Sequence, residues 1–243
     1  MVKTDDEKYL TEHFYLKSDF FYMLEIACFE ITSAEIALKS VADRIEFCAE
    51  QRLGGITPNF EEFRYLKSVY DKPVYVMIRP KEGDFLYSDA EFEVMKQSLT
   101  AFREAGADGF VFGMLAADHT VDVIRNKKLV ELAEGRPCTF HRAIDRTADT
   151  AAAIQTLIAL GFSNVLTSGG AATAVAGREQ LKDWVASYSH KINILIGGGV
   201  RSENVGMLKE YTEGLHFHSS AILPYESFAS ETEIQKLKIG ISS

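Results

Sequence analysis

The chain contains no apolar run approaching the ~20 residues that a membrane-spanning helix needs. It has no Lys/Arg cluster, and its net charge of −9 argues against a nucleic-acid role, which would require a concentrated basic face. Cysteine is scarce: three residues, an odd number, argue against a disulfide framework and for a reducing compartment. Met1–Lys8 is charged and lacks the apolar core of a secretory signal. The expected location is therefore the cytoplasm, with neither membrane nor nucleic acid as a partner. No low-complexity linker divides the 243 residues, a length that suits one large domain.

What the chain does have is an eightfold alternation. Short apolar stretches at Met23–Cys28, Arg44–Ala49, Pro73–Arg79, Gly109–Leu115, Cys138–Asp145, Asn164–Gly169, Ile192–Gly197 and Leu215–Ala221 are each followed by a helix-like segment. Strands alternating with helices imply parallel βαβ units, and eight of them in this length predict a (β/α)8 TIM barrel. The expected layout is an N-terminal arm or short helix over 1–21, then one barrel domain over 22–243. Leu10, Phe14 and Tyr15 are expected to dock the arm on the barrel bottom. Ser88-Asp89 starts a long amphipathic stretch that Gly106 ends. Gly161 ends a stretch over Ala151–Leu160, and Arg178–Tyr188 and Glu231–Ile239 read as further helices.

Side chains alternate across a strand, so polar residues out of phase with the large apolar ones face into the barrel. This turns Glu25 and Ala27 inward and Cys28 outward on the first strand. Arg44, Glu46 and Cys48 face inward on the second, and His216, His218 and Ser220 on the eighth. Arg79 closes the third strand, and Thr139, His141 and Asp145 share a phase on the fifth. Barrel interiors are usually layers of Val, Ile and Leu, and buried charges persist only when paired. Arg79 is accordingly expected to be held by Glu25 or Glu46. The set as a whole, at the mouth where such barrels do their chemistry, reads as a ligand site.

Two glycine runs support that reading. Thr167, Ser168, Gly169 and Gly170 end the sixth strand, and Gly197, Gly198 and Gly199 the seventh. His218, Ser219 and Ser220 end the eighth. Glycine lets backbone N–H groups approach an anion, and barrel loops after strands seven and eight often hold phosphate. His216 is expected low in the barrel and His218 at the mouth. His141, with an unperturbed pKa near neutrality, is the acid–base candidate, and Arg142 and Asp145 can orient it or a substrate.

Several of these segments resemble one known family. They are Ala42–Cys48 (ADRIEFC), Gly54–Pro58 (GGITP), Ile78–Pro80 (IRP) with Gly83–Asp89 (GDFLYSD), and Thr139–Asp145 (TFHRAID). Leu166–Gly170 (LTSGG), Gly197–Asn204 (GGGVRSEN) and His216–Ala221 (HFHSSA) complete the set. Long motifs in this order, over about residues 22–222, resemble the CutC family, named for copper homeostasis. The resemblance implies a barrel fold, a cytoplasmic location, a homodimer, and Cu(I) held by two cysteines from strands one and two. The second of these is Cys48. At the first the chain carries Ala27, with the thiol one residue later at Cys28, and one residue along a strand reverses the face. Valine at position 41 stands where the family usually has glycine, so it must take a different turn or accept left-handed strain of ~1–2 kcal/mol.

Two functions follow, beside a third reading in which the chain is a non-catalytic scaffold that binds through an outer helix face. One is copper homeostasis with Cu(I) at Cys48. The other is an enzyme for a small phosphorylated or otherwise anionic metabolite. In that second reading Glu46 and His141 are acid–base groups, and Arg79 and Asp145 join them in the catalytic set. Thr167, Ser168, Gly169, Gly170, Gly198, Gly199, His218 and Ser219 form the ligand cradle.

Overall fold

Large apolar residues every second position give each strand one face for the helices, and this builds a closed parallel barrel. The computed structural model describes residues 21–243. The arm expected over 1–21, with Leu10, Phe14 and Tyr15, lies almost wholly outside the described residues. The strands are β1 (Met23–Cys28), β2 (Arg44–Phe47), β3 (Val74–Met77), β4 (Gly109–Phe112), β5 (Cys138–Phe140), β6 (Asn164–Thr167), β7 (Asn193–Ile196) and β8 (His216–Ser219). They close in sequence order, β8 pairing back onto β1. The connecting helices are α1 (Ile31–Lys39), α2 (Phe60–Val69), α3 (Asp89–Glu104), α4 (Val123–Leu132), α5 (Thr150–Leu160), α6 (Arg178–Tyr188) and α7 (Val205–Thr212), with α8 (Glu231–Ser242) after β8. No helix among the described residues is long and apolar enough to cross a membrane.

Local chemistry sets the helix ends. Ser88 and Glu91 form a reciprocal capping box at the start of α3. Asn59 and Asp149 cap α2 and α5 through their side chains. Gly161 ends α5 in the left-handed region, φ 87°. Val41 has no positive φ, so the turn after α1 takes a different shape and avoids the strain.

The outward phase forms one continuous core with the helices. Leu24, Ile26 and Cys28 belong to it, as do Ile45, Phe47 and Phe217. Trp184 of α6 seals the same layer. The inward phase is divided into small apolar groups, Met23–Leu166–Leu195 on one side and Cys48–Tyr75–Met77–Val111 on the other. Between and above them lie the charges.

Candidate functional site

The parallel register places Glu25 beside Arg44 and His218. Glu25 is fully buried. It accepts from Arg44 Nε at 2.5 Å and lies 2.7 Å from His218 Nδ1. Burial alone would raise its carboxyl, but Arg44 and His218 outweigh that and hold it well below its ordinary value. Glu46, one strand over and 3% exposed, has no such support. Its Oε2 has no hydrogen-bond partner. Burial raises its carboxyl to about 7; His218 opposes this and the Glu25 charge adds to it. His218 moves up as well: burial works against its cation, but the bond to Glu25 and the charges of Glu46 and Glu25 win. His216 sits lower, outside the cavity lining, and burial next to Arg44 pulls it down to about 4.

Arg79 is not held by Glu25 or Glu46, contrary to the expectation from the sequence. Arg44 already satisfies Glu25, and Arg79 lies two residues beyond the end of β3, higher in the mouth. Its Nη1 donates instead to the carbonyls of Leu53 and Gly55, each at 2.8 Å. The Gly54–Pro58 segment thus works as an anchoring loop: Thr57 Oγ1 also accepts from the Arg79 N–H, and Thr57 N–H donates to the Arg79 carbonyl. The guanidinium lies 4.9 Å from the Phe85 ring centroid, and Phe85 is 4.8 Å from the His141 ring. Phe85 therefore joins Arg79 to His141, a role that position 85 alone did not reveal; its φ of 66° is the mark of a strained, specialised turn.

His141 differs from expectation in its charge state. Its Nδ1 accepts from the Ala143 N–H, so the neutral ring carries its proton on Nε2, which has no partner. Burial and the nearby Arg79 charge pull it down to about 3. At neutral pH it is a fixed hydrogen-bond donor rather than an acid–base group. A Cβ at Gly113 would lie 2.8 Å from Nδ1, so only glycine leaves room for this ring.

Asp145 and the β6 cradle also differ. β5 ends at Phe140, and a 3-10 turn over Arg142–Arg146 carries Asp145 sideways to β6. There its carboxylate accepts from Thr167 Oγ1 at 2.5 Å, from Ser168 Oγ, and from the Ser168 and Gly170 N–H groups. The Gly169 N–H donates to Thr167 Oγ1. Arg142 completes the pair at 2.9 Å. The anion in this glycine nest is thus the protein's own Asp145, which leaves Thr167, Ser168, Gly169 and Gly170 without free donors for a ligand.

The β7 and β8 loops remain open. Gly198 and Gly199 line the mouth with φ of 97° and 75°, and neither N–H finds an acceptor among the described residues. Arg201 crosses the two loops, donating to Ser219 Oγ and Ser220 Oγ. Together with Glu46, Arg79, His141 and His218 these groups surround one cavity of ≈ 520 Å³, a size typical of small-molecule sites.

The thiols do not form the pair that Cu(I) would need. Cys28 lies in the outer core, hydrogen-bonded to Ile26 O. Cys48 faces inward near Glu46, with its hydrogen on the Cys28 carbonyl. Burial raises both thiols, which disfavours the thiolates that soft Cu(I) selects. Cys138 is buried at the start of β5. Among the described residues one potential metal cluster exists, Glu25, Glu46 and His218, with ligand atoms within 4.8 Å of one another. It offers oxygen and imidazole donors, not thiolates.

A closed ring of eight parallel strands, with a cavity lined by charged side chains at the C-terminal mouth, defines a TIM-barrel protein. Residues 22–223 match the model of the CutC family. A CutC family protein from Vibrio vulnificus (strain YJ016) is 41% identical over 201 residues, covering 82% of this chain and 80% of that one. The human copper homeostasis protein cutC homolog is 39% identical, covering 82% and 73%. The crystal structure of a copper homeostasis protein CutC from Streptococcus agalactiae superposes with a TM-score of 0.78 at 28% identity, covering 82% and 99%. The chain belongs to the CutC family.

Proposed function

We propose that this chain is an enzyme acting on a small anionic metabolite at the barrel mouth. The observation that carries the reading is three buried polar atoms without partners, Glu46 Oε2, Arg79 Nε and His141 Nε2, on side chains lining one cavity. A buried unpaired polar group costs ~1–3 kcal/mol, a cost a ligand would remove. Glu46, raised to about 7, is the acid–base group, since proton transfer is most efficient near the working pH. His141 and Arg79 donate to charge that develops on the substrate. Gly198 and Gly199 receive an anionic end through their N–H groups, with Arg201 bracing the loop.

The test is an NMR time course of a mixture of phosphorylated and carboxylated metabolites with the protein. Wild type is expected to consume at least one component, and Glu46→Gln to slow it by about a hundredfold or more. A mixture left unchanged by wild type would end the reading.

The names of the relatives favour a second reading, copper homeostasis with Cu(I) at Cys48 in a cytoplasmic homodimer. Its support is family membership. Against it stands the donor set, because Ala27 removes the inward partner thiol. An anaerobic Cu(I) titration of the native chain, which on this reading binds tightly and loses that binding in Cys48→Ser, tests it.

A further inference from the structure

A line of contacts crosses the inward faces of neighbouring strands and ends at a nitrogen that meets the cavity. Gly109 of β4 leaves room for the Tyr75 ring of β3, since a Cβ there would lie 2.7 Å from it. The Arg44 guanidinium of β2 lies over that ring, 4.1 Å from its centroid. Arg44 Nε donates to Glu25 Oε2 of β1 at 2.5 Å, and Glu25 Oε1 lies 2.7 Å from His218 Nδ1 of β8. Glu25 is held ionised against its burial by Arg44 and His218, and an ionised carboxylate only accepts. Nδ1 therefore carries a proton, and in the neutral ring the lone pair is on Nε2. That atom makes no hydrogen bond among the described residues, and it is not sealed from solvent as Arg44 Nη2 and Glu46 Oε2 are. The His218 side chain keeps 12% of its surface and lines the mouth cavity. A Cβ at Gly197, just past β7, would lie 3.3 Å from His218 Cδ2, so the ring is set closely on that side too. His141 is the opposite case, with its proton on a sealed Nε2.

We propose that His218 is a catalytic proton-transfer residue of the mouth, acting on substrate through Nε2, and that Glu25 is its positioning residue. The inference rests on the reading of the mouth as an enzyme's site and adds a second proton-transfer group to Glu46. In the step, the Nε2 lone pair takes a proton from the substrate, and the bonding pair stays on the substrate atom that loses it. Nδ1 keeps its proton, and Glu25 then faces an imidazolium. The proton returns from Nε2 later in the cycle, so nothing is oxidised or reduced. A Glu46 carboxylate oxygen and a ring nitrogen of His218 lie within 4.8 Å of each other, close enough for one intervening atom to meet both. The two groups therefore serve one part of the substrate. The proton belongs to the substrate rather than to a protein nucleophile. No lysine or cysteine lines the cavity among the described residues, Ser219 Oγ donates to the Val200 carbonyl, and no hydrogen bond joins Ser220 to His218.

The first measurement needs no variant to fold. Long-range 1H–15N correlation of the wild-type histidines, at a pH where the His218 ring is neutral, should show its proton on Nδ1 and a bare Nε2. The second is the time course with phosphorylated and carboxylated metabolites, repeated with His218→Ala and Glu25→Gln. His218→Ala should slow turnover by about a hundredfold, and imidazole added to the solution should restore part of the rate. Glu25→Gln puts an amide that also donates beside Nδ1, which populates the Nε2–H tautomer. It should lower kcat by about tenfold or more with KM within about threefold, and the same 15N spectrum should show the change of tautomer. A proton on Nε2 in wild type, or turnover by His218→Ala within about threefold of wild type, overturns the proposal and leaves the reading of the mouth standing. Turnover abolished by a chelator and restored by a divalent cation assigns Nε2 to a metal ion and overturns it as well. A mixture that wild type leaves unchanged ends both.

Discussion

Glu25 and Glu46 sit on adjacent strands, both essentially inaccessible to solvent, and the barrel treats them in opposite ways. Glu25 has the Arg44 guanidinium on one side and the His218 ring on the other and is held ionised. Glu46 has an oxygen with no partner and is pushed toward the neutral acid at ordinary pH. Burial raises both carboxyls; only the partners differ. A buried carboxylate with its partners is architecture, whereas one left without them is poised for a proton or a ligand. The same contrast recurs at the mouth. Asp145 fills the β6 nest completely, while the Arg79 and His141 donors remain unfilled.

Removing Glu25 should break this comparison most severely. Glu25→Gln leaves Arg44 buried without its counter-charge and alters the bond to His218, and should cost ~3–5 kcal/mol in urea denaturation at pH 7.5. Glu46→Gln should cost less than ~1 kcal/mol at that pH, or stabilise, because it removes a charge with no partner. Equal losses in the two variants would show that the carboxylates share one role.

Acid titration sharpens the contrast. The pKa of Glu25 is lower folded than unfolded, so its stabilisation is present above about 4.5 and is lost as pH falls toward the lower folded value. The folded pKa of Glu46 is raised, so its contribution is full below about 4.5 and is lost as pH rises toward about 7. Between those values Glu46 gives a slope of about −1.4 kcal/mol per pH unit, which Glu46→Gln removes. His141, pulled down to about 3, gives a slope of the opposite sign over much of the same range. His216, pulled down to about 4, adds a second slope of that sign, so the wild-type profile alone does not isolate Glu46, and the difference between wild type and Glu46→Gln between pH 5 and 6.5 carries the result. No difference in slope would mean that Glu46 is ionised throughout.

How far the sequence revealed these two fates depends on the link involved. Period-two alternation placed Glu25 and Glu46 inward and Cys28 outward, because a strand with a helix-covered face has only one register. It could not show which cation each carboxylate meets. Arg44 reaches Glu25 because the β1–β2 register sets them side by side, while Arg79 lies beyond its strand, where alternation no longer applies. Asp145 escaped for the same reason: the 3-10 turn after β5 breaks the phase that linked it to His141. The Gly54–Pro58 motif was visible as letters, but its work, the Gly55 carbonyl on the Arg79 guanidinium and Thr57 on the Arg79 backbone, is tertiary.

The smallest expected effect concerns the thiols. Because Cys28 and Cys48 face opposite sides of the sheet, anaerobic Cu(I) titration of Cys28→Ser should match wild type within about twofold, near the limit of resolving an energy difference of ~0.4 kcal/mol. Large and equal losses in Cys28→Ser and Cys48→Ser would show that the two thiols share a metal.

The most direct measurement is a pH titration of glutamate carboxyl 13C shifts in wild type and Glu46→Gln. One side chain should titrate near 7 in wild type and vanish from the variant's spectrum, while another stays ionised well below the ordinary 4.5. If every glutamate titrates close to 4.5 in wild type, the unequal treatment of Glu25 and Glu46 is contradicted.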